Sequence, residues 1–185
     1  MAVRRKRRAI RPTPAARRLN RIVRIPRPYF EVLDVANLLF PALYQFENGL
    51  RLAIHYFLET CYGADWWNSS LQAQLPDIHQ YEAQQRAKLA TTPWLGASSR
   101  VVVLPVHLIT LGHLEVIITK YKSDCIPELF PNLTFFLGHM DVIKRVRNMY
   151  SHMFPCISRT DTQVARREIL TLAAHLNSKL DEYLP

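Results

Sequence analysis

The chain has 185 residues, 49% of them hydrophobic and 21% charged, which fits one folded domain and excludes a fibrous repeat or a wholly disordered chain. Its formal net charge of +9 comes from one end, because eleven of the 24 Lys and Arg residues lie in residues 1–27, where Asp and Glu are absent. The other thirteen Lys and Arg are set against fifteen Asp and Glu, so the rest of the chain is nearly neutral.

Residues 1–28 are predicted to form a flexible or extended basic tail, because like charges and four prolines oppose packing, and residues 29–185 are predicted to form one domain. We expect the tail to attract RNA by counterion release, which gives affinity without sequence specificity. Its RNA-binding cations are predicted to be Arg4, Arg5, Lys6, Arg7, Arg8, Arg17 and Arg18. A nuclear-localisation patch, a ribosome-association arm and an organelle transit peptide remain alternatives, because a basic run specifies little beyond charge.

Apolar residues recur at helical spacing from Tyr29 onward, and the chain has only five glycines, which together predict an all-α fold. A first helix is expected over about 29–40, and a second from Pro41 until Gly63 stops it. The second helix carries an apolar stripe made of Leu43, Phe46, Leu50, Ile54, Phe57 and Cys61.

Trp66 and Trp67 lie in a predicted turn that folds back on the end of the helices. Stacking of these rings on unpaired bases is the less favoured interpretation, since tryptophan is usually well buried. Residues 77–90 are compatible with a helix, and residues 91–103 are the segment most expected to move.

Three long elements complete the predicted fold: helices over about 105–122, 133–152 and 161–183, with a short proline-bounded piece at 127–131. The last helix carries a second stripe made of Ala165, Ile169, Leu172, Leu176, Leu180 and Tyr183. Four long amphipathic helices joined by loops of intermediate length favour an antiparallel bundle.

The three cysteines lack the spacing of metal ligands, which favours a reducing intracellular compartment, cytoplasmic or nuclear, over a disulfide framework or a zinc site. They are Cys61, Cys125 and Cys156. The longest apolar stretch, residues 101–119, is interrupted by polar residues and is shorter than the roughly 20 residues of a membrane span, so no membrane partner is expected. Its histidines, His107 and His113, are interpreted as core or boundary residues.

The predicted helix over 133–152 ends in the sequence RVRNMYSH, in which Arg147, Asn148 and His152 form the pattern R-N-x-x-x-H. Steps of three and four place Arg147 on the apolar stripe of this helix, together with Phe136, Met140, Ile143 and Tyr150. Asn148 and His152 share an adjacent face, so three hydrogen-bonding groups are expected to converge near one helix end.

This combination suits cleavage of RNA without a metal or another cofactor. Arg147 can bind a phosphate with two hydrogen bonds, Asn148 can orient it, and His152 can donate a proton to the leaving 5′-oxygen while the 2′-hydroxyl attacks. We expect the helix dipole to favour the imidazolium form of His152. Two structural interpretations remain open: Arg147 in a salt bridge within the bundle, and His152 as a helix C-cap.

A helical domain with R-N-x-x-x-H near the end of a late helix, an earlier ENGLR helix at residues 47–51 and a YGADWW turn at residues 62–67 resembles the HEPN superfamily (higher eukaryotes and prokaryotes nucleotide-binding). It is most similar to the branch typified by the C-terminal HEPN domain of a yeast endonuclease of nuclear mRNA quality control and by related prokaryotic defence proteins. The resemblance covers about residues 29–183.

The resemblance implies an up-and-down helical bundle that forms a homodimer, in which two copies of the motif face each other in one ribonuclease site. It implies that Arg147 and His152 are the catalytic pair, that Asn148 belongs to the same site, and that Glu47 supports the motif from an early helix. Glu47 has an alternative partner in Arg51, four residues later.

The function expected from the sequence is therefore a metal-independent endoribonuclease acting on single-stranded or looped RNA. It would serve as a toxin or as an effector of anti-phage abortive infection, with an antitoxin or a larger ribonucleoprotein complex as a possible partner. The alternative is a non-catalytic dimerising module that binds RNA or a nucleotide and is tethered by the basic tail.

Overall fold

The computed structural model of the chain describes residues 27–92, 103–152 and 158–183. Residues 1–26, with all the tail cations assigned to RNA, lie outside the described residues, as do residues 93–102 of the segment expected to move, and Cys156. Every regular element in the described ranges is helical, which confirms the all-α prediction.

Seven α-helices, one π-helical turn and one 3₁₀ turn occur within the described residues. In chain order they are α1 (Arg27–Tyr62), the π-helical turn (Trp67–Leu71), α2 (Gln72–Gln74), α3 (Pro76–Ala90), the 3₁₀ turn (Pro105–Leu108), α4 (Leu111–Lys120), α5 (Lys122–Leu129), α6 (Leu133–Ser151) and α7 (Arg159–Tyr183). They pack as a helical bundle in which α7 lies along both α1 and α6. None of these helices combines the length and the apolarity needed to cross a membrane.

The predicted break at Pro41 is wrong, because α1 runs unbroken for 36 residues with this proline inside it. A proline removes the hydrogen bond to the carbonyl four residues earlier, here that of Asn37. Both Pro41 and Asn37 are on the exposed side of the helix, where water can hydrate that carbonyl. Leu39 and Leu43 on the opposite side are buried and hold the helix against the core.

The apolar stripe of the predicted second helix is buried from Leu43 to Phe57, as expected. Cys61 departs from the prediction: it is exposed, because it lies in the last turn of α1, past the core contacts of the stripe. Gly63 ends the helix as predicted, in the left-handed conformation with φ +84°, and its N–H donates to the carbonyl of Glu59 at 2.8 Å.

Trp66 and Trp67 fold back into the core at the end of α1, which confirms the predicted turn. Their side chains are 0% and 5% exposed, and the two rings contact each other edge to face at 5.3 Å. This burial leaves neither ring open to an RNA base.

The predicted helix over 105–122 is wrong in its extent, because a 3₁₀ turn and an extended residue, Thr110, precede α4. The Thr110 hydroxyl accepts a hydrogen bond from the N–H of His113 at 3.2 Å, so this residue caps α4 at its N-terminus. The piece predicted at 127–131 is also different, since Pro127 lies inside α5.

The ends of α6 and α7 agree closely with the sequence. Asn132 caps α6 by accepting from the N–H of Phe135 at 2.8 Å, and His152 is the C-cap residue. Helix α7 begins at Arg159, two residues before the predicted start at 161. Ser158 and Asp161 cap this end by hydrogen-bonding reciprocally. The α7 stripe from Ala165 to Leu176 is buried against the core.

Two glycines allow a paired test of this backbone. Gly63→Ala should lower the free energy of unfolding by about 1 kcal/mol, because an L side chain is strained at positive φ. Gly138→Ala, at an exposed position inside α6 where an added Cβ meets nothing within 4 Å, should raise it by about 0.5–1 kcal/mol. Urea unfolding of both variants measures the difference, and shifts of the same sign would contradict this account of α1's end.

Candidate functional site

A groove of about 340 Å³ lies between α1 and the last turns of α6. Its lining residues are Phe40, Leu43, Tyr44, Glu47, Asn48, Arg51, His107, Arg147, Tyr150 and Ser151. Six of them come from α1, three from α6 and one from the 3₁₀ turn, so the groove exists only where these three elements meet. The structure therefore brings Glu47 and Arg147, two of the predicted site residues, to the same groove.

Arg147 lies at the edge of the buried stripe of α6 rather than within it. The fully buried positions are Phe136, Met140, Ile143 and Val146, while Arg147 and Tyr150 are half-buried. The Arg147 guanidinium donates to Asn148 Oδ1 at 3.5 Å, and no carboxylate forms an ion pair with it among the side chains that the structure describes. The salt-bridge interpretation of Arg147 therefore finds no support in the described part of the chain.

Asn148 and His152 lie to one side of the groove. Asn148 lines a neighbouring depression of about 290 Å³, which it shares with Arg147 and Lys144. His152 is exposed and directly follows Ser151, and its backbone N–H donates to the carbonyl of Asn148 at 3.1 Å. This backbone bond places residue 152 at the C-cap position without involving its imidazole, and His152 is not among the described residues that line either depression.

Glu47 pairs with Arg51, the alternative partner that the sequence offered. The Arg51 side chain is almost fully buried, and its guanidinium donates to the Glu47 carboxylate and to the backbone carbonyls of Val106 and Ile109, the latter at 2.7 Å. The charge of Glu47 is therefore largely compensated within α1 before anything binds in the groove.

His107 is a groove residue that the sequence interpretation did not assign to the site. Its Nδ1 accepts a hydrogen bond from the N–H of Leu104 at 3.1 Å, which leaves the proton of the neutral ring on Nε2. Burial, together with nearby Arg51 and His55, lowers the pKa of His107. The sequence carried no signal for this role, because His107 and Arg51 are far apart along the chain and meet only through the fold.

Phe40 and Tyr44 form the second feature that was missed. They lie one turn apart on α1, off its buried stripe, with side chains 57% and 62% exposed. Their ring centroids are 6.1 Å apart and both rings line the groove. The sequence shows this feature as an aromatic pair at helical spacing on the flank of the buried stripe.

Comparisons with known proteins give no independent indication of function: no family model, no curated protein and no solved structure matches the chain. Among the described residues, no group of three or more His, Cys, Asp and Glu side chains is arranged to hold a metal ion. The chemistry available in the groove is thus one open guanidinium, one compensated carboxylate, an imidazole and exposed aromatic rings.

Removal of the Arg51 side chain should destabilise the fold strongly. Arg51→Ala leaves a half-buried carboxylate and two backbone carbonyls without their donor, and we expect the free energy of unfolding to fall by about 3 kcal/mol. Arg145→Ala is the matched control, because Arg145 is exposed and its pair with Asp141 lies on the surface of α6. Chemical denaturation tests both variants, and equal stability of the two would contradict a structural role for Arg51.

The histidines predict a loss of stability in mild acid. Burial lowers the pKa of His55, His107 and His113 below the ordinary value of 6.5, with Glu59 opposing the shift at His55 and Arg51 adding to it at His107. The unfolded chain therefore binds more protons than the folded chain as the pH falls through 6.5, and the free energy of unfolding decreases.

Urea unfolding between about pH 7.5 and about pH 5.5 measures this slope. The variant His107→Gln should show a shallower slope than the unaltered chain, because one of the three groups no longer titrates. A stability that stays constant or increases over this range would show that the histidines are not held in the neutral form.

Proposed function

We propose that the protein is a metal-independent endoribonuclease of the HEPN type. The observation that carries this proposal is the position of Arg147, whose guanidinium lines an open groove and has no carboxylate partner among the described residues. Asn148 adjoins it, and His152 follows one turn later at the end of α6. An unpaired guanidinium at an accessible groove is suited to bind a phosphate with two hydrogen bonds.

In this mechanism the 2′-hydroxyl of the RNA attacks the adjacent phosphorus, and its proton is released to water. Arg147 binds the non-bridging oxygens and stabilises the negative charge that accumulates on them, while Asn148 orients the phosphate. His152 donates a proton to the 5′-oxygen as its bond to phosphorus breaks. The products carry a 2′,3′-cyclic phosphate and a 5′-hydroxyl.

The proposal includes a homodimer, as the family resemblance implies. Within one chain, His152 lies outside the groove that Arg147 lines, so a second copy of the motif would complete the set of groups around one phosphate. The basic tail would hold RNA near this composite site, and the activity would serve as a toxin or an anti-phage effector controlled by an antitoxin or a larger ribonucleoprotein complex.

A non-catalytic module that binds RNA or a nucleotide is the second candidate. It is favoured by the position of His152, which is not among the described residues that line the groove with Arg147, so the proton donor of the motif is outside that groove within one chain. The same groove would then bind RNA through Arg147 and the aromatic rings without cleaving it.

Cleavage of RNA in EDTA tests the first candidate. The purified chain should leave 2′,3′-cyclic phosphate ends, and Arg147→Ala or His152→Ala should each lower the rate by about 100-fold or more, since each removes a charge-stabilising or proton-donating group. Arg145→Ala on the same helix, whose guanidinium pairs with Asp141, should retain activity. Rates come from end-labelled RNA resolved on denaturing gels.

Full activity in either the Arg147 or the His152 variant would overturn the nuclease proposal. The non-catalytic module is supported instead if the unaltered chain binds RNA, with an affinity that falls as salt is raised, but never cleaves it. Replacement of the tail cations by glutamine should then abolish this binding.

A further inference from the structure

The exposed aromatic pair on α1 is not needed to fill the core. Leu39 and Leu43 face inward from the same turns of the helix and are buried, whereas Phe40 and Tyr44 are exposed residues. The rings are tilted by 31° to each other and present a broad aromatic surface at the entrance of the groove. Exposed flat rings of this kind are common where proteins bind unpaired bases.

The charges of the groove complement this surface. Of its two arginines, Arg51 is bound to Glu47 and to backbone carbonyls, so its charge is already paired. Arg147 supplies the remaining positive charge, on the α6 wall opposite α1. One groove thus combines an aromatic surface on one wall with a cation on the other that no carboxylate among the described side chains pairs. A nucleotide likewise combines a flat base with a phosphate.

We infer that Phe40 and Tyr44 form a stacking platform for one unpaired base of the RNA whose phosphate Arg147 binds. The inference rests on the proposed function for the class of its ligand, and it adds a subsite that the R-N-x-x-x-H motif does not contain. Tyr44 supplies the principal ring, because it is the more exposed of the two, and Phe40 supports it from one turn earlier.

The platform selects single-stranded RNA over a duplex. Bases in a duplex are stacked on each other, and their flat faces are not available to a protein ring, whereas bases in loops and single strands are open. The groove volume of about 340 Å³ is within the range of small-ligand sites and suits one nucleotide rather than a helix.

Binding of matched oligonucleotides tests the platform. The full chain carrying His152→Ala is titrated with a short fluorescent single-stranded RNA and with its abasic counterpart, which has the same phosphates without bases. Salt is raised until the tail contributes little, because counterion release weakens with salt while stacking does not. The intact RNA should bind about tenfold more tightly than the abasic RNA.

Tyr44→Ala should remove most of this preference by weakening only the binding of intact RNA, and Tyr44→Phe should retain it because the ring remains. Leu38→Ala is the matched control, since Leu38 is also an exposed apolar residue of α1 but does not line the groove. An intact-to-abasic ratio unaffected by Tyr44→Ala would overturn the inference.

Analytical sedimentation of the same variants tests whether the two rings contact a second copy of the chain instead of an RNA base. If Tyr44→Ala dissociates a dimer and leaves the intact-to-abasic ratio unchanged, the rings contact a second copy of the chain and the platform is rejected. Failure of the proposed catalysis is a separate result: a chain that never cleaves RNA, yet prefers intact RNA through Tyr44, retains the platform and loses the nuclease.

Discussion

The groove depends on the hydrogen bonds made by the buried guanidinium of Arg51. Val106 lies in the 3₁₀ turn, and Ile109 is the extended residue that directly follows it, before α4 begins. Arg51 donates to both backbone carbonyls and so fastens this segment to α1, while Glu47 balances its charge. A buried cation is costly unless it is paired and hydrogen-bonded, and here two backbone carbonyls and one carboxylate accept from it.

This arrangement separates the two arginines of the groove by role. Arg51 satisfies the backbone and is closed to solvent, whereas Arg147, on the opposite wall, is half-buried with one long hydrogen bond to its neighbour. Because Arg51 also holds the 3₁₀ turn in place, it positions His107 at the groove and contributes to the lowered pKa of that ring. Among the described residues that line the groove, the positive charge that no carboxylate offsets is that of Arg147.

The sequence predicted the structure best where the feature depends on a single helix. The buried stripe of α1 up to Phe57, the end at Gly63 and both ends of α6 follow from spacing, caps and a positive φ, which are local properties. It failed where tertiary packing outweighs a local signal. Pro41 does not end α1, since the carbonyl that it leaves unpaired is on the water-facing side while the other side of the helix stays docked in the core.

The site residues show the same difference between local spacing and tertiary packing. The motif residues, and the choice of Arg51 as a partner for Glu47, could be stated in advance because residues four apart on a helix are neighbours. The inclusion of His107 could not, because it depends on a contact between α1 and the 3₁₀ turn, whose Val106 is 55 residues away from Arg51.

The motif supplies chemistry for a phosphate but nothing that recognises a base, and the groove has both kinds of surface. Under the proposed function, the tail would supply affinity, Arg147 would fix the phosphate, and the α1 rings would choose nucleotides whose bases are unstacked. Such a choice also serves the reaction, because in-line attack by a 2′-hydroxyl requires a backbone free to leave A-form geometry, and unstacked nucleotides have that freedom. Substrate selection and catalytic competence would then depend on the same property of the RNA.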